Sequence, residues 1–179
     1  LLDEVHWCIE NTPTQFILCG SSPRKLKRGA ANLLGGRAWR FELFPLTTQE
    51  IGAYDLERIV NHGLIPLHYI AKKPERSLRG YVVDYLEEEI QAEALTRNIP
   101  AFAKFLEAAS LTHGQLLNYT NVARDCGVSA KTVREYYHIL EDTLLGHTLE
   151  PWRKRKDRRL IETAKFYLFD PGVARALAG

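Results

Sequence analysis

Methionine is absent from all 179 residues, and cysteine occurs only three times. Cys8, Cys19 and Cys126 are odd in number, lie in apolar or helical surroundings and show no paired spacing. That pattern excludes a disulfide framework and fits a reduced, cytoplasmic chain. No apolar run approaches the roughly 20 residues of a membrane span, and no signal peptide is present. His6, His62, His68, His113, His138 and His147 have no H-x-x-x-H pairing and no cysteine at ligand spacing, so no zinc site is supported. Nor does any Ser, His and Asp arrangement nominate a nucleophile. A G-x-x-x-x-G-K-S/T phosphate loop is missing, as are internal repeats and low-complexity segments. Charge of one sign is missing too: 24 Lys and Arg against 22 Asp and Glu leave a net charge of +2, which neither demands nor excludes nucleic acid. Leu1 opens the chain already inside an apolar pattern, which reads as an internal fragment of a longer protein.

The most informative stretch that is present runs from Tyr119 to Leu140. Its spacing predicts a helix-turn-helix: Ala123 as the small residue in the first helix, Gly127 in the turn, and Val133 packing back from the second helix. Gly127 suits the positive φ that ends a helix, and Ser129 suits the N-cap of the next. Val122, Val128, Val133, Tyr136, Tyr137 and Leu140 form an inward set, leaving Lys131, Arg134, Glu135 and His138 outside. A recognition helix has this layout, and so does a plain helical hairpin or a protein-docking module.

Upstream, Leu1-Leu2-Asp3-Glu4 has the residue types of a Walker B strand end. Leu1, Leu2, Val5, Cys8 and Ile9 recur with helical period, however, which predicts an amphipathic helix with Asp3 and Glu4 as solvated charges. Asn11-Thr12-Pro13-Thr14 ends it. Phe16-Ile17-Leu18-Cys19 is a continuous apolar run that predicts a strand buried on both faces of a parallel sheet, closed by Gly20-Ser21-Ser22-Pro23. Trp39, Phe41 and Leu43 alternate as a further strand, and helical pattern resumes at Thr48.

Residues 53–110 read as helices broken near Gly63 to Pro66, at Lys73-Pro74 and at Pro100. Glu87, Glu88 and Glu89 point several ways around one helix, as a solvated face does. Beyond the helix-turn-helix, Leu144 to Leu149 and Lys165 to Phe169 read as strands flanking a basic loop that contains Arg153, Lys154, Arg155, Lys156, Arg158 and Arg159. A basic hairpin beside a helix-turn-helix suits a phosphate backbone, and a solvated loop has the same composition.

FILCGSSPRKLKRGAANLLGGRAWRFELFPLTTQEIG resembles the sensor-1 strand and following segment of a prokaryotic family of AAA+-type P-loop ATPases that carry a winged-helix domain of unknown function. RSLRGYVVDYLEEEI, the stretch from Leu111 to Trp152 and KFYLFDPGVARALAG resemble the same family, so the likeness spans essentially the whole chain. It implies that the P-loop and true Walker B lie upstream of Leu1 and that a nuclease-like region follows in relatives. Ser21 and Ser22 match the sensor-1 region and are implied to position water or the terminal phosphate. Arg37 matches the family's Gly-Arg, as a finger on a neighbouring nucleotide or as a structural ion-pair partner; Arg24 and Arg28 are weaker candidates. The resemblance further implies ATP and magnesium as cofactors of the intact parent, held only weakly by this chain, and partner copies meeting through the ATPase core. From the residues themselves, outward Lys131 and Arg134 with Arg153, Lys154, Arg155 and Lys156 of the basic loop point to duplex DNA as the ligand of the winged helix, with a protein-interaction module as the alternative. The expected fold is thus α/β plus mostly α: the last part of a P-loop-type parallel sheet over 1–52, a helical lid over 53–110 and a winged helix over 111–179.

Overall fold

A computed structural model describes residues 2–19, 39, 41–82, 98–152 and 163–179. The chain divides into two compact units, Leu1–Leu43 and Phe44–Gly179.

In the first unit, helix α1 spans Leu2–Asn11, with Asp3 and Glu4 exposed in its first turn. Carboxylates there complement the positive end of the helix dipole, consistent with the periodicity of the apolar residues and against a strand. Its end is closed by side chains: Asn11 Nδ2 donates to the Trp7 carbonyl at 2.8 Å and Thr12 Oγ1 to that of Cys8 at 2.8 Å. Residues 13–19 then run without regular structure. The parallel sheet expected here is therefore corrected. Ile17 is 97% exposed, Phe16 and Leu18 are more than a third exposed, and Trp39, Phe41 and Leu43 are exposed as well. A strand exists only when its N–H and C=O groups find a neighbouring strand, and no such neighbour occurs among the described residues.

The second unit is mostly helical. Short helices α2 (Thr48–Ile51), α3 (Leu56–His62), α4 (Pro66–Tyr69) and α5 (Pro74–Gly80) come first. Proline opens α4 and α5, where its missing N–H costs nothing. Helix α6 (Ile99–Leu111) follows, with Asn98 as N-cap and Pro100 in its first turn. Helices α7 (Tyr119–Cys126) and α8 (Ala130–Asp142), strands β1 (Gly146–Leu149) and β2 (Lys165–Leu168), and helix α9 (Pro171–Ala178) complete it. The two strands are antiparallel, pairing Gly146 with Leu168 and Leu149 with Lys165. Leu116 makes an isolated antiparallel bridge to Lys165 on the other edge of β2. Among the described residues this is the whole of the β-structure: nine helices and one two-stranded antiparallel sheet. A winged-helix architecture is likewise not shown, and the basic loop read as its wing lies outside the described residues.

The core explains the arrangement of α6, α7, α8 and the sheet. Phe105, Val133 and Leu140 are fully buried, joined by Phe102, Tyr136, Tyr137 and Phe166. Phe105 and Tyr137 pack edge to face with centroids 4.8 Å apart, and Tyr137 meets Phe166 at 4.7 Å. Such tilted aromatic pairs add about 0.5–1.5 kcal/mol each beyond the area they bury. Helix α9 binds the two halves of the unit, packing on α3, α5, α6 and β2. Its N-cap, Asp170, is fully buried and reaches across to the turn after α3: Oδ2 accepts from the N–H of Leu64 at 2.6 Å and of Ile65 at 3.2 Å, while Oδ1 caps α9 through Val173 N at 2.9 Å.

Candidate nucleic-acid interface

Helix α7 begins at Asn118, whose side chain accepts from Asn121 N at 3.1 Å. It ends at Gly127, which takes φ 68° and ψ 32°, the left-handed region that glycine enters without steric cost. Val128 N donates to the Ala123 carbonyl at 3.0 Å and Gly127 N to that of Arg124 at 3.3 Å. These are the two bonds of a Schellman ending. Two residues later Ser129 accepts from Thr132 N at 3.1 Å and starts α8. The turn is therefore closed by local hydrogen bonds on both sides, which fixes the crossing of the two helices. Val122, Ala123, Val133, Tyr136, Tyr137, Ile139 and Leu140 are buried beneath it.

Lys131, Arg134, Glu135 and His138 stand on the exposed side of α8. Lys131 and Arg134 are three residues apart and so share one face. The Arg134 guanidinium lies over the Tyr119 ring, 5.0 Å from its centroid. Burial raises the Tyr119 phenol above its ordinary range and the Arg134 charge acts in the opposite sense. The surface is mixed in sign. Arg124 faces Asp125 at 3.7 Å, both exposed, and His138 Nδ1 lies 3.2 Å from Glu141 Oε2. Glu141 is occupied further by the Thr148 N–H, bound to Oε1 at 3.1 Å, which ties the end of α8 to β1. An open groove of about 690 Å³ lies between α6 and α7; it sets Lys104 against Glu107 and Asp125 and so offers phosphates no net positive surface.

Of the residues singled out from sequence, Lys131 and Arg134 are brought to one exposed face. Ser21, Ser22 and Arg37, with Arg24 and Arg28, lie outside the described residues, as do Arg153, Lys154, Arg155 and Lys156. Among the described residues, no group of three or more His, Cys, Asp or Glu is placed to hold a metal, and no helix is long and apolar enough to cross a membrane. Two side chains escape sequence reasoning. Tyr119 reads only as the start of a helix, because no spacing rule links it to a residue fifteen positions on. Asp170 reads only as the end of a strand, although Asp before Pro is the pattern of an N-cap followed by a first-turn proline.

Among known proteins, the chain is 28% identical over 170 residues to the uncharacterized protein Mb2031c of Mycobacterium bovis and, to the same extent, to the uncharacterized protein Rv2008c of Mycobacterium tuberculosis. Each alignment covers 93% of this chain and 38% of the relative, so the chain spans well under half the length of the proteins it matches. No solved structure matches. A family model, described as Domain of unknown function (DUF8612), matches residues 53–179, which takes in every helix from α3 onward, both strands and the α7–α8 face. By that match over most of its length, the chain belongs to the DUF8612 family.

Proposed function

We propose that the α7–α8 pair is a duplex-DNA contact, carried by a larger ATP-driven protein of the AAA+ type. The observation that supports it is the exposed pair Lys131 and Arg134 on one face of a helix whose entry angle is locked by the Gly127 turn and the Ser129 cap. A helix so presented can lay side chains against base edges in the major groove. On this reading the cation run Arg153-Lys154-Arg155-Lys156 adds sequence-independent phosphate contacts. ATP and magnesium belong to the intact parent, with Ser21, Ser22 and Arg37 as contributors to its nucleotide site. Glu135, one turn on from Lys131 on the exposed side of α8, opposes DNA, so binding is weak and strongly salt-dependent.

Fluorescence anisotropy with mixed duplexes at low and moderate salt tests the proposal. Neutralising Arg153, Lys154, Arg155 and Lys156 should weaken binding to every sequence alike and flatten the salt slope by roughly 0.9 for each phosphate left without its cation. Arg134→Ala should instead relax sequence preference, at a cost of about 1–3 kcal/mol. No binding at low salt would remove duplex DNA as the ligand and leave the pair a protein-docking surface.

A further inference from the structure

We infer that Tyr119 is a positioning residue that makes Arg134 the base-reading group of the α8 face. This rests on the duplex-DNA reading above and adds which side chain discriminates sequence and how it is held. The Tyr119 ring meets Tyr137 edge-on with centroids 5.7 Å apart, and Tyr137, 3% exposed, packs in turn on Phe105 and Phe166. An aromatic ladder thus runs from the centre of the core to the surface, and its last rung lies beneath the Arg134 guanidinium.

The chemistry of that contact sets what Arg134 can recognise. A cation held over a ring face is attracted by the ring's electron density, which leaves its N–H donors without a hydrogen-bond acceptor from that contact. Among the described residues no hydrogen bond or ion pair to Arg134 uses those donors. A side chain that otherwise samples many rotamers is thereby drawn to one place above the ring, with its donors still available. The matching ligand group is a coplanar pair of acceptors. Guanine O6 and N7 in the major groove provide one, and two oxygens of a single phosphate provide another. Because Arg134 lies in the first half of α8 on its exposed side, where a major-groove helix presents side chains to base edges, and an arginine bidentate to guanine is the commonest such contact, guanine is the assignment. Lys131, a point charge on a flexible stem with no such ring contact among the described residues, suits the backbone instead.

The 179-residue chain is first exposed to a pool of randomised duplexes, and the preferred duplex is then titrated against a version with its guanine pairs replaced by A·T. Wild type and Tyr119→Phe, which keeps the ring, should show the same preference. Tyr119→Leu, Arg134→Ala and Arg134→Lys should each lose it, roughly tenfold or more, since none offers a fixed bidentate edge. Preference is a ratio of two affinities of one preparation, so partial unfolding of Tyr119→Leu cancels from it. If Tyr119→Leu keeps the preference while Arg134→Ala loses it, the ring has no positioning role and the inference falls. If Arg134→Ala keeps the preference and lowers the salt slope by about 0.9, Arg134 is a phosphate contact and the inference again falls. Failure of wild type to bind any duplex at about 50 mM salt defeats the duplex-DNA reading itself, a separate and earlier failure.

Discussion

Asp170 offers the sharpest test of how the helical unit is held together. Its carboxylate accepts three backbone N–H groups, two from the turn after α3 and one at the start of α9, and no part of the residue is exposed. Asp170→Ala strands all three donors and removes the cap. Leu64 and Ile65 are half-buried, so water relieves part of the penalty and each stranded donor is set near the low end, about 1 kcal/mol. Loss of the cap, which is the Val173 donor, adds about 1 kcal/mol to the cost of the two turn donors, which brings the expected total to roughly 3 kcal/mol. Asp170→Asn separates the two jobs. Its amide oxygen can still cap Val173, but its NH₂ group then faces two N–H donors, so about 2 kcal/mol is lost. Urea unfolding followed by circular dichroism reads the difference: at a slope of about 1.5 kcal/mol per molar, the midpoint should fall by about 2 M for alanine and somewhat over 1 M for asparagine. An asparagine variant as stable as wild type would show that the turn after α3 does not depend on the second carboxylate oxygen. Alanine costing under about 1 kcal/mol would refute the whole account of the junction.

Three further expectations follow from the same geometry. Gly127→Ala should cost only about 1 kcal/mol in the same unfolding assay, because an added Cβ there meets nothing within 4 Å and only the positive φ is penalised, whereas Gly172→Ala should cost more, since its Cβ collides with the backbone of Gly63. His113 accepts the Leu168 N–H on Nδ1 at 3.1 Å, and burial first, then the nearby His147, hold its pKa below the ordinary value; His68, bonded through Nδ1 to Ser77 Oγ at 2.7 Å, is lowered by burial against the opposing charge of Asp170. A lowered folded pKa means that the unfolded chain binds more protons, so stability is fully present above about pH 6.5 and falls as pH drops through the folded values; His113→Asn should reduce that slope, and a pH-independent midpoint from about pH 7 to about pH 5 would contradict it. Cys126 is buried with its thiol pKa raised chiefly by burial, while Cys19 is exposed, so thiol labelling of native protein should modify Cys19 rapidly and Cys126 only on unfolding; equal rates would place Cys126 wrongly.

The helix-turn-helix was legible because everything that specifies it is local. Gly127, Ser129 and the 3.6-residue apolar rhythm of Val133, Tyr136, Tyr137 and Leu140 act within a few positions of one another, so backbone angle, cap and buried face can be read straight from the chain. The same holds for α1, where period decided against a strand although Asp3 and Glu4 imitate a Walker B end. The apolar runs at Phe16 to Cys19 and Trp39 to Leu43 show the opposite case. Their composition suits a buried strand, but a strand is a pairing between distant segments, and the described residues supply none. What sequence alone determined here was therefore the helical character of α1, the turn and cap that join α7 to α8, and which side of α8 faces outward. Only the tertiary structure decided that Asp170 spans from the last helix to the turn after α3, more than a hundred residues earlier in the chain, and that Tyr119 lies under Arg134. Those contacts depend on how helices pack, and packing is a property of shapes brought together by the core, which no local pattern encodes.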